Sequence, residues 1–173
     1  VKYPHPTLRH ESKPLRKVDA ELKRMVARML ELMYENNGIG LAGNQVDLPY
    51  RLFVLNLTGD PNEKAEEHVF LNPVITKRVG NAEGEEGCLS LPEVFAPVRR
   101  AERVTLTTYN LAGEQVAMEL GGLFARAVQH ETDHLDGVLF IDRLTPANQL
   151  GVKDRLADLE REFYDDRSRG QIP

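Results

Sequence analysis

Residues 129–134 read Gln129-His130-Glu131-Thr132-Asp133-His134. They lie inside a longer run, Leu123 to Leu135, whose Leu123, Phe124, Ala127, Val128 and Leu135 recur at helical spacing. The spacing predicts a helix with much of its surface buried, ending at Asp136-Gly137, where glycine suits the closing turn. On a helix, positions i and i+4 stand one turn apart on one face, so both imidazoles can reach a single metal ion. Glu131 projects about 100° away around the axis, near enough to touch a metal-held water without ligating the metal. That division of labour suits metal-assisted hydrolysis. The bland reading is a chance His-Glu-x-x-His on a solvated helix. It is disfavoured, because a buried histidine pair beside a buried carboxylate is costly unless something matches it.

A catalytic metal needs a third protein ligand. Extension of the motif to a third histidine fails: Gly137 falls in register, but the last position is Phe140, which cannot ligate. A glutamate from a later helix, Glu160 or Glu162, is one remaining candidate. Cys88, between Gly87 and Leu89, is another, because a thiolate is a strong ligand for a borderline or soft divalent ion. A lone cysteine is as readily inert core, or a nucleophile with a histidine base.

Outward from this helix, the chain reads as one α+β domain over residues 1–173. Residues 1–18 are irregular. A helix follows from Asp19, with Leu22, Met25, Val26, Met29 and Met33 as its core stripe and Asn36-Asn37-Gly38 as its stop. Residues 52–57 read as a buried strand, and Val69–Leu71 with Val74-Ile75 as a strand pair or one strand broken at Pro73. Residues 80–87 read as an acidic loop. Residues 104–111 and 115–120 alternate around Ala112-Gly113-Glu114 as a hairpin, and 138–141 as a short strand. Thr145-Pro146 opens a last helix, with Val152, Leu156, Leu159 and Phe163 as its stripe.

At 173 residues, a single packed core is expected. Hydrophobic residues make up 41% of the chain, which argues against wholesale disorder. The net charge is −5, and no basic block marks a nucleic-acid surface. Arg99, Arg100 and Arg103 are the densest basic cluster, but Glu102 sits among them, and a solvated strand edge or turn is expected there. No apolar stretch approaches the roughly 20 residues of a membrane helix. A single cysteine permits no internal disulfide and fits a reducing compartment. The absence of a signal-type segment fits a bacterial cytoplasmic protein, although the start at Val1 leaves room for trimming, including of an organellar form.

Three segments together resemble one family, the peptide deformylases. Gly38-Ile39-Gly40-Leu41-Ala42-Gly43-Asn44-Gln45 is similar to its first motif, Glu86-Gly87-Cys88-Leu89-Ser90 to its second, and residues 129–134 to its third. Gly43 departs from the more common alanine. The resemblance implies mixed or antiparallel sheets packed around the central motif helix, with an N-terminal and a C-terminal helix. It implies Cys88, His130 and His134 as metal ligands, with Fe(II) the natural ion and Zn, Ni or Co able to occupy the site. It implies removal of the formyl group from N-formylmethionyl nascent peptides by a metal-held hydroxide, with Glu131 as general base and acid. Gln45 and the Leu89 backbone N–H are implied as oxyanion donors. Ile39, Gly40, Leu123, Ala127 and the aliphatic part of Glu86 are implied around the substrate. Arg126 is expected at the rim. Transient ribosome contact is conceivable; direct nucleic-acid or membrane binding is not expected.

Overall fold

The computed structural model describes residues 1–171; residues 172–173, the last two of the expected domain span, lie outside the described residues. Ten principal elements follow in order: α1 (Ala20–Glu35), β1 (Gly40–Ala42), β2 (Leu52–Leu55), β3 (His68–Val79), β4 (Ala82–Cys88), β5 (Leu91–Arg100), β6 (Arg103–Tyr109), β7 (Gln115–Gly121), α2 (Gly122–Leu135) and α3 (Pro146–Ser168). β1-β2-β3-β6-β7 form one sheet and β4-β5 a separate ribbon, all pairings being antiparallel. The fold is α+β with the motif helix α2 at its centre, as expected.

Strand alternation explains why the sheet is covered on both sides. Along β2, Phe53 and Leu55 pack with Val128 and Leu135 of α2, whereas Leu52 and Val54 pack with Met29 and Met33 of α1. Successive strand residues point to opposite faces, so one short apolar strand serves two helices and all four of its residues are buried. A fully buried side chain of this size contributes about 1.5–3 kcal/mol. Asp19 caps α1 by accepting from the Leu22 N–H, and Thr145 caps α3 by accepting from Asn148. A third apolar cluster joins α3, through Val152 and Leu159, to Leu91, Val94, Ala96 and Val98 of the ribbon.

Three segments differ from expectation. Residues 82–88 are not a loop but β4, paired along its length with β5, a strand the sequence reading leaves out. Tertiary pairing overrides the poor strand propensity of its glycines and glutamates. The β3 strand runs through Pro73, with a register shift between Leu71 and Val74 that removes the need for a proline donor. Residues 138–141 do not form a strand; a short 3-10 helix occupies 140–143, because the Asp142 carboxylate turns back to accept from the Leu139 N–H at 2.9 Å.

Candidate metal centre

The α2 helix is polar on a face that is nonetheless buried. His130, Glu131 and His134 are each less than a tenth exposed, so their chemistry is set by partners rather than by bulk water. Its C-terminal exit is held by Gly137, at φ 72°, where a Cβ would collide with the Arg9 carbonyl. Asn44, in the first motif, donates through Nδ2 to the His134 carbonyl.

Cys88 arrives from the other side. It is the last residue of β4, and the β4–β5 register shifts between Gly87 and Cys88, which takes its side chain off the ladder. Its Sγ lies 3.3 Å from Nε2 of His134. Ligand atoms of Cys88, His130 and His134 all lie within 4.8 Å of one another. Glu160 and Glu162 are elsewhere: Glu160 accepts from the Tyr3 hydroxyl and Glu162 pairs with Arg155 on the α3 surface.

A thiol and two imidazole nitrogens form a donor set suited to a borderline divalent ion. The surroundings fit one as well. His130 faces Glu86 through Nδ1, at 2.8 Å from Oε1, which leaves its Nε2 for the site. Burial opposes charge on His130, but hydrogen bonds with Cys88 and Glu86 outweigh it and push the pKa up to about 10. Burial and the His130 charge hold His134 well below the usual range. Beside this donor set, Glu131 keeps Oε2 buried without a hydrogen-bond partner. Burial pushes its pKa up to about 7, in the range that a proton-transfer group needs.

Behind the histidines lies an ionic layer. Glu86 is buried, which opposes its charge, yet His130 and Arg100 hold its carboxyl well below the usual range. Arg100 contacts both its oxygens at 2.9 Å, and Arg126 reaches Oε2 at 2.7 Å. Arg100 also meets Asp133 at 2.5 Å, and Asp133 in turn holds Arg143 at 2.6 and 2.8 Å. Arg99 and Arg103 are exposed as expected, but Arg100 is not: its side chain is 3% exposed, which corrects the reading of that cluster as a solvated edge. The signal that could have found it is parity, since Val94, Ala96, Val98 and Arg100 alternate along the inner face of β5. Phe140, excluded as a ligand, packs nearly parallel to the His130 ring at 6.0 Å between centroids.

A cavity of about 600 Å³ opens onto the centre. Cys88, His130, Glu131, Gln45 and Leu89 line its polar end, and Ile39, Gly40, Leu123, Ala127 and Glu86 line the remainder. Ile39 and Leu123 stand exposed at its mouth, whereas Ala127 is buried in its wall. Gly40 is there for clearance: a Cβ would come 2.6 Å from Oε1 of Glu131 and 2.7 Å from Leu55. The Gln45 amide is oriented by the Ala42 N–H, which donates to its Oε1 at 2.9 Å, so that its Nε2 points to Cys88 Sγ at 3.4 Å and Ser90 Oγ at 3.1 Å. Arg126 lines this cavity too and also donates to the Ala82 and Val98 carbonyls, clamping the ribbon to α2.

Comparison with known proteins agrees with this geometry. The family described as polypeptide deformylase matches residues 1–156. A peptide deformylase of Rhodopirellula baltica is 45% identical over 172 residues, covering 99% of this chain and 85% of that protein. One from Neisseria gonorrhoeae is 44% identical, covering 90% of this chain and 92% of its own. Among solved structures, a Plasmodium falciparum peptide deformylase superposes with a TM-score of 0.93 at 37% identity, covering 95% of this chain and 96% of that one.

Proposed function

The chain belongs to the polypeptide deformylase family, and from that premise we propose how its own residues carry the reaction. The chain is a hydrolase that removes the N-formyl group from nascent polypeptides, releasing formate and a free amine. The observation that carries the residue assignment is the convergence of Cys88, His130 and His134 within 4.8 Å, with an unpartnered Glu131 oxygen beside them.

In this reading Cys88, His130 and His134 hold one divalent ion, Fe(II) by preference, with Zn, Ni or Co as substitutes. When bound, such an ion supplies Lewis acidity and an activated water. Glu131 takes the proton of the attacking water and returns it to the leaving nitrogen, so that the C–N bond breaks to formate and a neutral amine. The carbonyl oxygen gains charge as water adds, and donors placed in advance stabilise it. The Gln45 Nε2–H and the Leu89 backbone N–H fill that role. The methionine side chain packs among Ile39, Leu123, Ala127 and the aliphatic stem of Glu86, while Gly40 lets the peptide backbone come close. The chain acts as one catalytic domain, in the cytoplasm, on N-formylmethionyl nascent peptides and with transient ribosome contact. No described helix is long and apolar enough to cross a membrane.

The test is formate release from a formyl-Met peptide by protein purified anaerobically with Fe(II). Release at one ion per chain is expected. No release from protein shown to hold that ion would overturn the assignment.

A further inference from the structure

Glu86 has only two oxygens, and four donors converge on them: His130 Nδ1 and Arg100 Nη2 on Oε1, Arg100 Nε and Arg126 Nη1 on Oε2. A carboxylate surrounded in this way can only accept. The hydrogen between it and His130 therefore sits on Nδ1, and Nε2 is left to face the site shared with Cys88 and His134. Arg126, itself on α2, pairs with one carboxylate of this layer, whereas Arg100, from β5, pairs with two. Its third contact, Nη1, reaches Asp133 at 2.5 Å, and Asp133 lies on α2, three residues beyond His130. One planar guanidinium thus grips both the acceptor that orients the imidazole and the helix that carries it. Arg100 is 6% exposed, so no solvent competes for these bonds, and a lysine could not make all three at once.

We propose that Arg100 is a positioning residue for the metal centre: through Glu86 it fixes the tautomer and ring angle of His130, and through Asp133 the place of His130 on α2. Partners behind a metal-bound histidine tune ion affinity by about 10–100-fold. The proposal rests on the reading of His130 as a ligand, and its test separates the two.

Zinc affinity is measured by competition with a chromophoric chelator, and the Co(II) visible spectrum reports site geometry. Wild type binding no zinc would overturn the ligand reading itself. With wild type binding one zinc, Arg100→Lys is expected to weaken zinc by about 10–100-fold and to alter the Co(II) bands. Arg143→Met, at the half-exposed outer end of the chain of ion pairs, serves as the comparison and is expected to change affinity less than about threefold, because solvent screens an ion pair that is partly exposed. Folded Arg100→Lys protein with wild-type zinc affinity and wild-type Co(II) bands would overturn the proposal. So would full additivity of Arg100→Lys with Glu86→Gln, because residues acting through one another are non-additive. Should Arg100→Lys fail to fold, nitrogen NMR of the zinc-loaded wild type decides instead. It is expected to find the His130 hydrogen on Nδ1, and a hydrogen on Nε2 overturns the proposal.

Discussion

The Tyr3 hydroxyl donates to Oε1 of Glu160 at 2.6 Å, joining two residues 157 positions apart. The bond ties the N-terminal segment to α3, and it occupies one of the two glutamates that could have completed a metal site. Burial and the bond to Glu160 push the Tyr3 pKa up to about 12 from 10.0. The folded chain therefore holds the phenolic proton more tightly than the unfolded one. The stability from this tie is fully present below pH 10 and is lost as pH rises through about 12. Between pH 10 and 12, the melting temperature of wild type is expected to fall more steeply than that of Tyr3→Phe, and identical slopes would refute the assignment.

Cys88→Ser separates the ligand candidates. With Sγ 3.3 Å from His134 Nε2, its loss is expected to abolish stoichiometric zinc or iron by elemental analysis. Glu160→Ala and Glu162→Ala are expected to retain it, since both carboxylates lie on the outer side of α3. Metal retained in Cys88→Ser at the wild-type ratio would remove Cys88 from the ligand set.

Glu131→Ala is expected to keep its ion and lose activity by about 10²–10⁴-fold, the usual contribution of a positioned proton-transfer group. The variant also deletes a buried, unpartnered carboxylate oxygen. Its melting temperature is expected to be at least that of wild type, because functional residues are often held at a cost to stability. Turnover close to wild type would show that another group moves the proton.

Gly137→Ala combines two penalties: a left-handed φ of 72° and a collision with the Arg9 carbonyl. Together they are expected to cost about 1–3 kcal/mol or more, read as a lower urea midpoint at unchanged slope. Gly113→Ala, also left-handed but facing open space, is expected to cost less. Equal losses would mean that the Arg9 contact contributes nothing.

Legibility in the sequence follows how local each determinant is. The β6–β7 hairpin is readable because alternation and its turn residues lie within 20 positions, and α2 because its apolar spacing and its motif coincide. The β4 strand is opaque: Glu83, Gly84, Glu85, Glu86 and Gly87 have neither strand propensity nor apolar alternation, and only the partner β5 defines them. Arg100 differs from Arg99 and Arg103 in no local property; its burial comes from Glu86 and Asp133, 14 and 33 positions away. The proposed ligands are visible as residue types in motifs, whereas the ionic layer behind them exists only once three distant elements meet.

The 3.3 Å approach of Cys88 to His134 also has a meaning for the polymer. Any ion shared by these two side chains is a cross-link closing a loop of 46 positions, and it pins the β4–β5 ribbon to the helix. Closing such a loop in the unfolded chain is entropically unfavourable, and the free energy of metal binding is in part free energy of folding. Removing the ion with a chelator is then equivalent to cutting one staple between the ribbon and the helix.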